Sequence, residues 1–405
     1  MAHVNDSQNA RESRDREVLV VYVDAGGGHR SAAQAISAAA SQAGVGWRVK
    51  LLNLQEVFAP LDHLRRLTGL TTEDVYNALL RRRLAVLMVP LLRLLQLTVR
   101  VRGKTLVERL AQRLAQEGPD AVVSVMPNFN RIIQEACRKA LPGASFAVVL
   151  TDYADFPPHF WIEPAVERVV VGSDEAARQA ARLGVPPERV ARASGMILHP
   201  RHYVEHERET ERAGLRVGRE SFVVLVVFGG KGSPEMVPLC GRLVESEVDL
   251  HVVAVCGDNP RLVRQLESVA AGQPGRLSVL GFTDRLPALL SAADVLVTKP
   301  GPGSLAEAFH RGVPVVVAHS IHTIPQERFN LRLVAEWGVG LVARSWAEVP
   351  EMVCGLAKRP QQLAEIRTRL QSLPANRAVF EVVDLIDRDV AHRGPADGSR
   401  PTGDQ

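Results

Sequence analysis

Cysteine is scarce in this chain. Four cysteines occur among 405 residues, widely spaced and without a CxxC pair. This argues against a disulfide framework or a zinc site and fits a reducing compartment such as the cytosol. The first 16 residues are polar and charged, so we expect no secretory signal there. No uncharged apolar run reaches the roughly 18 residues that indicate a transmembrane helix.

Motifs for two common classes of nucleotide site are also absent. The glycine-rich turns contain neither the GxGxxG fingerprint of a dinucleotide site nor the GxxxxGK(S/T) of a P-loop. The one D-x-D triplet, at 387–389, falls in a terminal helical pattern without other metal-ligating residues beside it. We therefore predict neither a metal ion nor a cofactor.

The composition favours a folded chain of two domains. A length of 405 residues suits two α/β domains of roughly 150–200 residues each. Hydrophobic residues make up 46% and charged residues 23%, which is the balance of a globular protein. The formal net charge of +4 is small, so its distribution along the chain is more informative than its sum.

One segment concentrates positive charge. From Arg81 to Arg113 there are nine lysines and arginines against one glutamate, threaded through an apolar run that Pro90 and Arg93 interrupt. Such a segment can lie in a bilayer interface, where anionic lipids neutralise its cations. A buried helical hairpin whose arginines reach solvent is the alternative. Aromatic residues for base stacking are absent, so we expect no nucleic-acid partner.

The N-terminal half reads as alternating strands and helices. Residues 17–23 are an apolar, β-branched run, three glycines at 26–28 form a turn, and an alanine-rich helix follows from about His29. This strand, turn and helix unit opens many doubly wound α/β domains. Further strands are predicted at 121–127, 145–152 and 168–173, and the alternation indicates a parallel sheet.

The C-terminal half repeats the pattern. Strand, glycine-rich turn and helix recur from Ser221, and further strands are predicted at 250–257, 277–282, 295–298 and 314–318. The polar stretch between Gly195 and Glu220 marks the boundary. We expect a disordered N-terminus (1–16), an N-terminal domain (17–200), a C-terminal domain (201–375), a terminal helix returning to the first domain (376–390) and a disordered tail (391–405).

The stretch TKPGPGSLAEA places a phosphate-binding turn in the second domain. The strand at 295–298 leads into Pro300-Gly301-Pro302-Gly303, and a helix is predicted to start near Ser304. The N–H groups and positive dipole end of such a helix can hold a diphosphate. Glu307, in the first turn, is then close enough to accept hydrogen bonds from ribose hydroxyls. An acidic residue that merely favours a helix start is the alternative interpretation.

Five motifs in a fixed order carry a family resemblance. They are DAGGGHRSAAQAI, LTDYADFPPHFW, FGGKGS, TKPGPGSLAEA and IPQERFN. Residues 17–390 thereby resemble the monogalactosyldiacylglycerol synthase and processive diacylglycerol glucosyltransferase family. The resemblance implies an α/β GT-B fold, in which two Rossmann-like domains face each other across a cleft. It also implies inverting transfer of a hexose from a UDP-sugar to diacylglycerol, at the cytoplasmic face of a membrane to which the enzyme attaches peripherally.

Other functions stay open at this point. The peptidoglycan N-acetylglucosaminyltransferase shares the C-terminal pattern, so a polyprenyl-linked or other lipid acceptor in cell-envelope synthesis is the main alternative. A UDP-sugar epimerase on the same fold needs no acceptor. A non-catalytic UDP-sugar-binding protein binds the nucleotide without turnover.

The resemblance also implies a donor site, motif by motif. The residues that line the diphosphate are Gly229, Gly230, Gly232 and Ser233, completed by Gly301, Gly303 and Ser304. Glu307 holds the ribose, and the uracil is recognised through backbone groups at Gly281 and Phe282. The residues that face sugar hydroxyls are Gln326 and Glu327, with Asn330 one helical turn after Gln326.

One motif departs from the family pattern. Where the family usually has Pro-Gly-Gln-Glu, this chain has Ile324-Pro325-Gln326-Glu327. Proline lacks an N–H and restricts φ, so the loop geometry must differ. The sugar therefore stays undecided between glucose, galactose and others.

Two residues are candidates for the catalytic base. His29 directly follows the first glycine turn, and imidazole titrates near neutrality. Asp152 ends a predicted strand at the same edge, either as the base or as the partner that orients His29. A helix cap and a turn former are their respective non-catalytic interpretations. The residues expected to contact the acceptor or the membrane are Gly27, Gly28, His159, Trp161, Arg81, Arg82 and Arg83.

Overall fold

The computed structural model describes residues 16–24, 27–59, 88–156, 159–218, 220–320, 323 and 327–393. The greater part of the two ends predicted to be disordered lies outside the described residues. The predicted site residues outside them are Arg81, Arg82, Arg83 and Gln326.

A parallel sheet organises the first half. Its strands are β1 (Arg16–Tyr22), β2 (Trp47–Asn53), β3 (Ala121–Ser124), β4 (Ser145–Val149), β5 (Val169–Val171) and β6 (Val190–Arg192). They lie in the order β2-β1-β3-β4-β5-β6, and every neighbouring pair is parallel. The three strands β3, β4 and β5 are buried along their whole length, which is why their sequences are continuous apolar runs.

Helices cover both faces of this sheet. They are α1 (Gly28–Ala43), α2 (Leu54–Phe58), α3 (Met88–Val101), α4 (Gly103–Glu117), α5 (Asn130–Ala140) and α6 (Asp174–Arg182). Small side chains let α1 lie close to one face, where Ala33, Ile36 and Ala39 are fully buried. On the other face α4 contributes Leu106, Leu110 and Leu114 at four-residue spacing.

A second parallel sheet organises the other half. Its strands are β7 (Phe222–Val227), β8 (Leu250–Val255), β9 (Leu277–Leu280), β10 (Val295–Thr298), β11 (Val315–Ala318) and β12 (Gly340–Ala343). Their order is β12-β11-β10-β7-β8-β9. The helices of this half are α7 (Arg208–Gly214), α8 (Met236–Val244), α9 (Pro260–Gly272), α10 (Leu286–Ala292), α11 (Pro302–His310), α12 (Arg328–Trp337), α13 (Val349–Ala357) and α14 (Pro360–Gln371). The predicted α/β class is thereby confirmed.

Three strands were missing from the sequence prediction: β2, β6 and β12. Each of them is an edge strand of its sheet. β2 has one buried residue, Leu52, among exposed and half-buried ones, and β6 has only three residues, none of them buried. Edge strands need no continuous apolar run, since one side of the strand carries no neighbour, and their pattern is therefore weak.

The chain passes between the two halves twice. The first connection contains a short 3₁₀ turn at Pro200–Tyr203. The second leads into the last helix, α15 (Ala378–Arg393), which packs against α1 and β4 of the first sheet. Asp389 on α15 accepts two hydrogen bonds from Arg168, of 2.8 and 3.0 Å. This contact gives the D-x-D triplet a structural role in attaching α15 to the first half.

Candidate active site

The site lies where the order of strands reverses in each sheet. In the first sheet the reversal falls between β1 and β3, and in the second between β7 and β10. Open α/β sheets bind ligands at such points, outside the carboxyl ends of the strands. The two halves contact each other, since the ring centroids of Tyr153 and Trp337 are 6.2 Å apart, and the charge of Asp152 in the first half acts on Glu327 in the second.

His29 lies in the first turn of α1, at the carboxyl end of β1. Its Nδ1 is 3.2 Å from Oγ1 of Thr151, which follows β4. Burial lowers the pKa of His29 to about 4, and a hydrogen bond with the Val125 backbone opposes that shift. The imidazole is therefore neutral at physiological pH. Gly27, with φ of 84°, caps the helix beside it, and both Gly27 and Gly28 are exposed.

Asp152 follows Thr151 and is bound to a tryptophan. The indole Nε1–H of Trp161 donates a 2.8 Å hydrogen bond to Oδ2 of Asp152. Burial raises the pKa of Asp152 to about 6, although the Trp161 hydrogen bond lowers it. The ring of His29 lies 5.7 Å from that of Trp161. His29 and Asp152 thus both contact the indole ring of Trp161, and among the described residues no hydrogen bond joins the two directly.

Trp161 takes a different position from the one expected for a contact to acceptor or membrane. Its side chain is 0% exposed, because it packs under Asp152 and beside His29. His159, two residues earlier, is partly exposed, and its Nδ1 lies 3.3 Å from Oδ2 of Asp155. Of this pair only His159 is accessible to a ligand.

Asp155 shapes the loop that carries these groups. Its carboxylate accepts the backbone N–H groups of Phe160, Trp161 and Ile162, each at 3.1 Å. The side chain of Gln179 bonds both the N–H and the carbonyl of Asp155, at 2.7 and 2.8 Å. These bonds fix the backbone at Asp155 and tie it to the backbone of Phe160, Trp161 and Ile162. The sequence prediction missed Asp155, since an acidic residue in a loop is usually solvated.

The first glycine turn of the second half follows β7. The N–H of Gly232 donates to the carbonyl of Gly229 at 3.1 Å, and that of Asp258 to the carbonyl of Gly230 at 2.8 Å. Gly229 and Gly232 have positive φ, 78° and 57°, a conformation that only glycine adopts without strain. Ser233 is mostly buried, with its hydroxyl bonded to Glu235. The turn is thus fixed by backbone hydrogen bonds, and open space borders it at Gly229 and Gly230.

The second glycine turn follows β10, the neighbour of β7 in the sheet. The helix α11 starts at Pro302, so Gly301 is its N-cap, and Gly303 and Ser304 lie in its first turn. Asn330 supports this turn from below. It is 1% exposed, and its Nδ2 donates to the carbonyl of Pro300 at 2.7 Å. Because β7 and β10 are neighbouring strands, the two glycine turns that follow them lie side by side.

Two carboxyl groups stand at this second turn. Because α11 begins at Pro302 rather than near Ser304, Glu307 lies in the second helical turn, not the first. Burial raises the pKa of Glu307 to about 7, opposed by Arg201. Burial also raises the pKa of Glu327 to about 7, opposed by Lys299 and reinforced by Asp152 of the first half. Glu327 lies near Gly301, so it faces both the second glycine turn and the other half.

Gly281 and Phe282 directly follow β9. Phe282 is 77% exposed and Gly281 is half-buried. Their backbone groups are accessible at the carboxyl edge of the sheet. Within the described residues, no group of three or more His, Cys, Asp or Glu side chains is arranged to hold a metal ion.

The helix α3 borders the first half of the site. Exposed apolar side chains at three- and four-residue spacing follow one of its faces: Leu94, Leu97 and Val101. Nε2 of Gln96 donates to the carbonyl of His159 at 3.4 Å, which places α3 next to the loop of Asp152. None of the described helices is long and apolar enough to cross a membrane.

Two family models match the chain, one on each half. The monogalactosyldiacylglycerol (MGDG) synthase model matches residues 29–195, and the C-terminal domain model of glycosyltransferase family 28 matches residues 223–329. The first half of the chain is therefore similar to monogalactosyldiacylglycerol synthases, and the second half to glycosyltransferases of family 28. The first matched half contains His29 and Asp152, and the second contains both glycine turns. The match of the second half to the glycosyltransferase family 28 domain makes the chain a glycosyltransferase.

Individual relatives agree with these two matches. A processive diacylglycerol β-glucosyltransferase of Bacillus licheniformis is 26% identical over 283 residues, which cover 69% of this chain and 72% of the relative. A probable chloroplastic monogalactosyldiacylglycerol synthase of Nicotiana tabacum is 28% identical over 384 residues, covering 91% and 70%. The solved structure of MurG from Acinetobacter baumannii matches with a TM-score of 0.61 at 16% identity, over 92% of this chain and 99% of that one. This likeness confirms the predicted GT-B fold.

Proposed function

We propose that this glycosyltransferase transfers a hexose from a UDP-sugar to diacylglycerol with inversion at the anomeric carbon. The observation that carries the proposal is the match of the first half, residues 29–195, to the MGDG synthase model. In a GT-B enzyme the first half receives the acceptor, so this match concerns the acceptor and not only the donor. The names of the relatives from Bacillus licheniformis and Nicotiana tabacum favour the same lipid.

The donor binds against the second half in this proposal. The diphosphate lies over the turns at Gly229–Ser233 and Gly301–Ser304, whose backbone N–H groups and helix dipole favour negative charge. Lys299, directly before the second turn, adds positive charge where UDP departs. Glu307 binds the ribose hydroxyls, the backbone at Gly281 and Phe282 binds the uracil, and Glu327 with Gln326 faces the sugar.

The acceptor hydroxyl loses its proton at the edge of the first sheet. Asp152 is ionised above about pH 6, whereas His29 is neutral above about pH 4. Asp152 acts either as the base itself or as the charge that stabilises a protonated His29. In both roles the enzyme requires the carboxylate form of Asp152. The hydroxyl oxygen then bonds to the anomeric carbon as its bond to the UDP phosphate oxygen breaks.

The acceptor reaches this edge from a membrane surface. The apolar stripe of α3 (Leu94, Leu97 and Val101) is flanked by exposed Arg93 and Arg100. This combination suits the acyl and phosphate layers of an anionic leaflet. Arg81, Arg82 and Arg83 extend the positive charge in sequence but lie outside the described residues. The proposal places the protein peripherally on the cytoplasmic face.

The test is product formation on vesicles. UDP-glucose and UDP-galactose are offered separately with anionic vesicles that contain diacylglycerol, and lipid products are identified by mass. A hexosyl-diacylglycerol product supports the proposal and identifies the sugar, and further added hexoses reveal processive transfer. If UDP binds and the sugar is transferred to a polyprenyl-linked acceptor but not to diacylglycerol, the acceptor in this proposal is wrong and the polyprenyl-linked lipid takes its place. Absence of UDP binding would overturn the donor site as well.

A further inference from the structure

The first connection between the halves lies along the helix that carries Glu307. Its 3₁₀ turn ends at Tyr203. The carbonyl of His202 accepts a hydrogen bond from Nε2 of His310, at 3.1 Å. The guanidinium of Arg311 donates to the carbonyl of Val204. Since His310 and Arg311 follow Glu307 by one turn, the connection is held at a fixed position against α11.

The side chain of His202 points at the carboxylate of Glu307. Nε2 of His202 lies 3.4 Å from Oε1 of Glu307. His202 is only 4% exposed. Burial lowers its pKa to about 3, and the charges of Arg201 and Arg311 act in the same direction. A neutral imidazole carries one N–H, and the carboxylate is the acceptor that faces Nε2.

The other ring nitrogen supports this arrangement. Nδ1 of His202 is buried, and no described residue hydrogen-bonds to it. A buried polar atom without a partner costs free energy. An apolar side chain of similar size would avoid that cost, so the imidazole is explained by its contact with Glu307. Packing alone does not account for it.

The second connection meets the first at the adjacent residue. The ring of Tyr203 lies between those of His310 and Phe380, with centroid distances of 4.7 and 5.0 Å. Phe380 belongs to α15, which packs on the first half. His202 therefore precedes a residue that packs against both α11 and α15, which fixes its position beside the Glu307 carboxylate.

We propose that His202 is a positioning residue for the nucleotide: it orients the Glu307 carboxylate toward the ribose hydroxyls. The inference rests on the proposed function, in which Glu307 is the ribose ligand. It adds a residue of the interdomain connection to donor recognition. A carboxylate whose rotamer is restricted by the imidazole 3.4 Å away loses less conformational entropy when the ribose binds.

The experiment compares two probes, UDP and 2′,3′-dideoxy-UDP, which lacks both ribose hydroxyls. Affinities are measured calorimetrically on the full chain. We expect the wild type to prefer UDP by about tenfold or more, because unmatched polar groups in a site reject an analogue. His202→Phe, which keeps a ring but has no N–H, should weaken UDP about fivefold to tenfold and leave dideoxy-UDP unchanged. His202→Gln, whose amide can reach Glu307, should restore part of the preference.

Two further variants make the result specific. Glu307→Gln shows how far the preference for UDP over dideoxy-UDP falls when the proposed ribose contact is lost. His251→Phe removes another buried histidine of the same half, at the amino end of β8, where it bonds Gly275 and Ser278, and should leave the preference unchanged. If His202→Phe melts below the assay temperature, His202→Asn serves instead, since it stays polar but is too short to reach Glu307.

The outcomes separate the inference from the proposed function. A His202→Phe protein that keeps the wild-type preference, while Glu307→Gln loses it, overturns the role of His202 alone. A wild type without any preference for UDP overturns the role of His202 together with that of Glu307 as ribose ligand. Loss of the preference in both variants, with rescue by His202→Gln, supports the inference, since a merely structural change would weaken both probes equally.

Discussion

Asp152 and Trp161 are joined by a hydrogen bond of 2.8 Å from the indole Nε1 to Oδ2. The bond ties a fully buried ring to the carboxylate nearest the proposed acceptor position. It stabilises the charged form of Asp152 in surroundings that otherwise favour the neutral form. The protonation state of Asp152 is therefore the property of this site most open to measurement.

Trp161→Phe should shift the pH dependence of activity. Loss of the indole donor removes the interaction that lowers the pKa of Asp152, so this pKa must rise. A hydrogen bond to a charged group contributes about 1.5 kcal/mol or more, which corresponds to about one pH unit. We expect the acid limb of kcat/KM to move upward by about that amount. Trp47→Phe is the matched control, because Trp47 bonds Asp387 at 2.9 Å outside the site, and an equal shift in this control would contradict the interpretation.

Asp152→Asn should stabilise the protein at high pH while abolishing activity. The native pKa of Asp152, about 6, exceeds the ordinary value of 3.8, so the folded state binds more protons between these values. Wild-type stability then falls as pH rises through this window, and the cost of the buried charge is complete above pH 6. The substituted asparagine side chain cannot ionise, and its carbonyl can still accept from Trp161. Urea unfolding should show the variant more stable by on the order of 2 kcal/mol at pH 8 and nearly equal near pH 4; a difference independent of pH would refute the assignment.

Gly230→Ala and Gly232→Ala should separate binding from stability. A Cβ at Gly232 would lie 2.5 Å from Cδ2 of Leu262 and 2.7 Å from the carbonyl oxygen of Cys256, at a φ of +57°. We expect Gly232→Ala to lose about 1–3 kcal/mol of unfolding free energy. A Cβ at Gly230 meets no atom within 4 Å, so that variant should fold normally but bind UDP about tenfold more weakly. Calorimetry and thermal unfolding on both proteins test the pair, and undiminished UDP affinity in Gly230→Ala would place the diphosphate elsewhere.

Asn330→Ala should weaken donor binding through the backbone. Its amide holds the Pro300 carbonyl at 2.7 Å, so the variant releases the turn at Gly301 and leaves that carbonyl buried without its donor. We expect a loss of about 1–2 kcal/mol of stability and a KM for the UDP-sugar raised several-fold, with an unchanged KM for the acceptor. Thr298→Val is the control: its hydroxyl is buried without a partner among the described residues, and its removal should cost no stability. A rise in the acceptor KM of Asn330→Ala would argue against this role.

Replacing the apolar stripe of α3 should impair membrane binding. The triple change of Leu94, Leu97 and Val101 to serine removes exposed apolar side chains and leaves Arg93 and Arg100 in place. Flotation with anionic vesicles should show about tenfold weaker binding, since several buried methylene groups are lost, while UDP affinity stays unchanged. Leu51→Ser, a change at another exposed apolar residue on β2, should have no effect. If the triple variant binds anionic and zwitterionic vesicles as well as Leu51→Ser does, α3 is not part of the membrane interface.

The sequence predicted the donor half in more detail than the acceptor half. The glycine turns follow apolar strands directly, so the sequence indicated turns at Gly229, Gly232 and Gly301, and the family resemblance implied their place in a donor site. Positive φ at Gly229 and Gly232 explains glycine at those two positions. Asp155, Thr151 and His202 were missed. Each acts through a partner that is distant along the chain: Gln179, His29 and Glu307. No local sequence pattern indicates a partner that is so distant along the chain.

Apolar periodicity and residues adjacent along the chain were enough to predict two parallel sheets without their edge strands β2, β6 and β12, the positions of the glycine turns and the family resemblance. The burial of Trp161 under Asp152, the support of a backbone carbonyl by Asn330 and the contact of His202 with Glu307 came from the folded structure alone. Burial and pKa depend on which side chains the fold brings together, and that requires packing between elements that are far apart in sequence. The chemistry of the site is set by that packing.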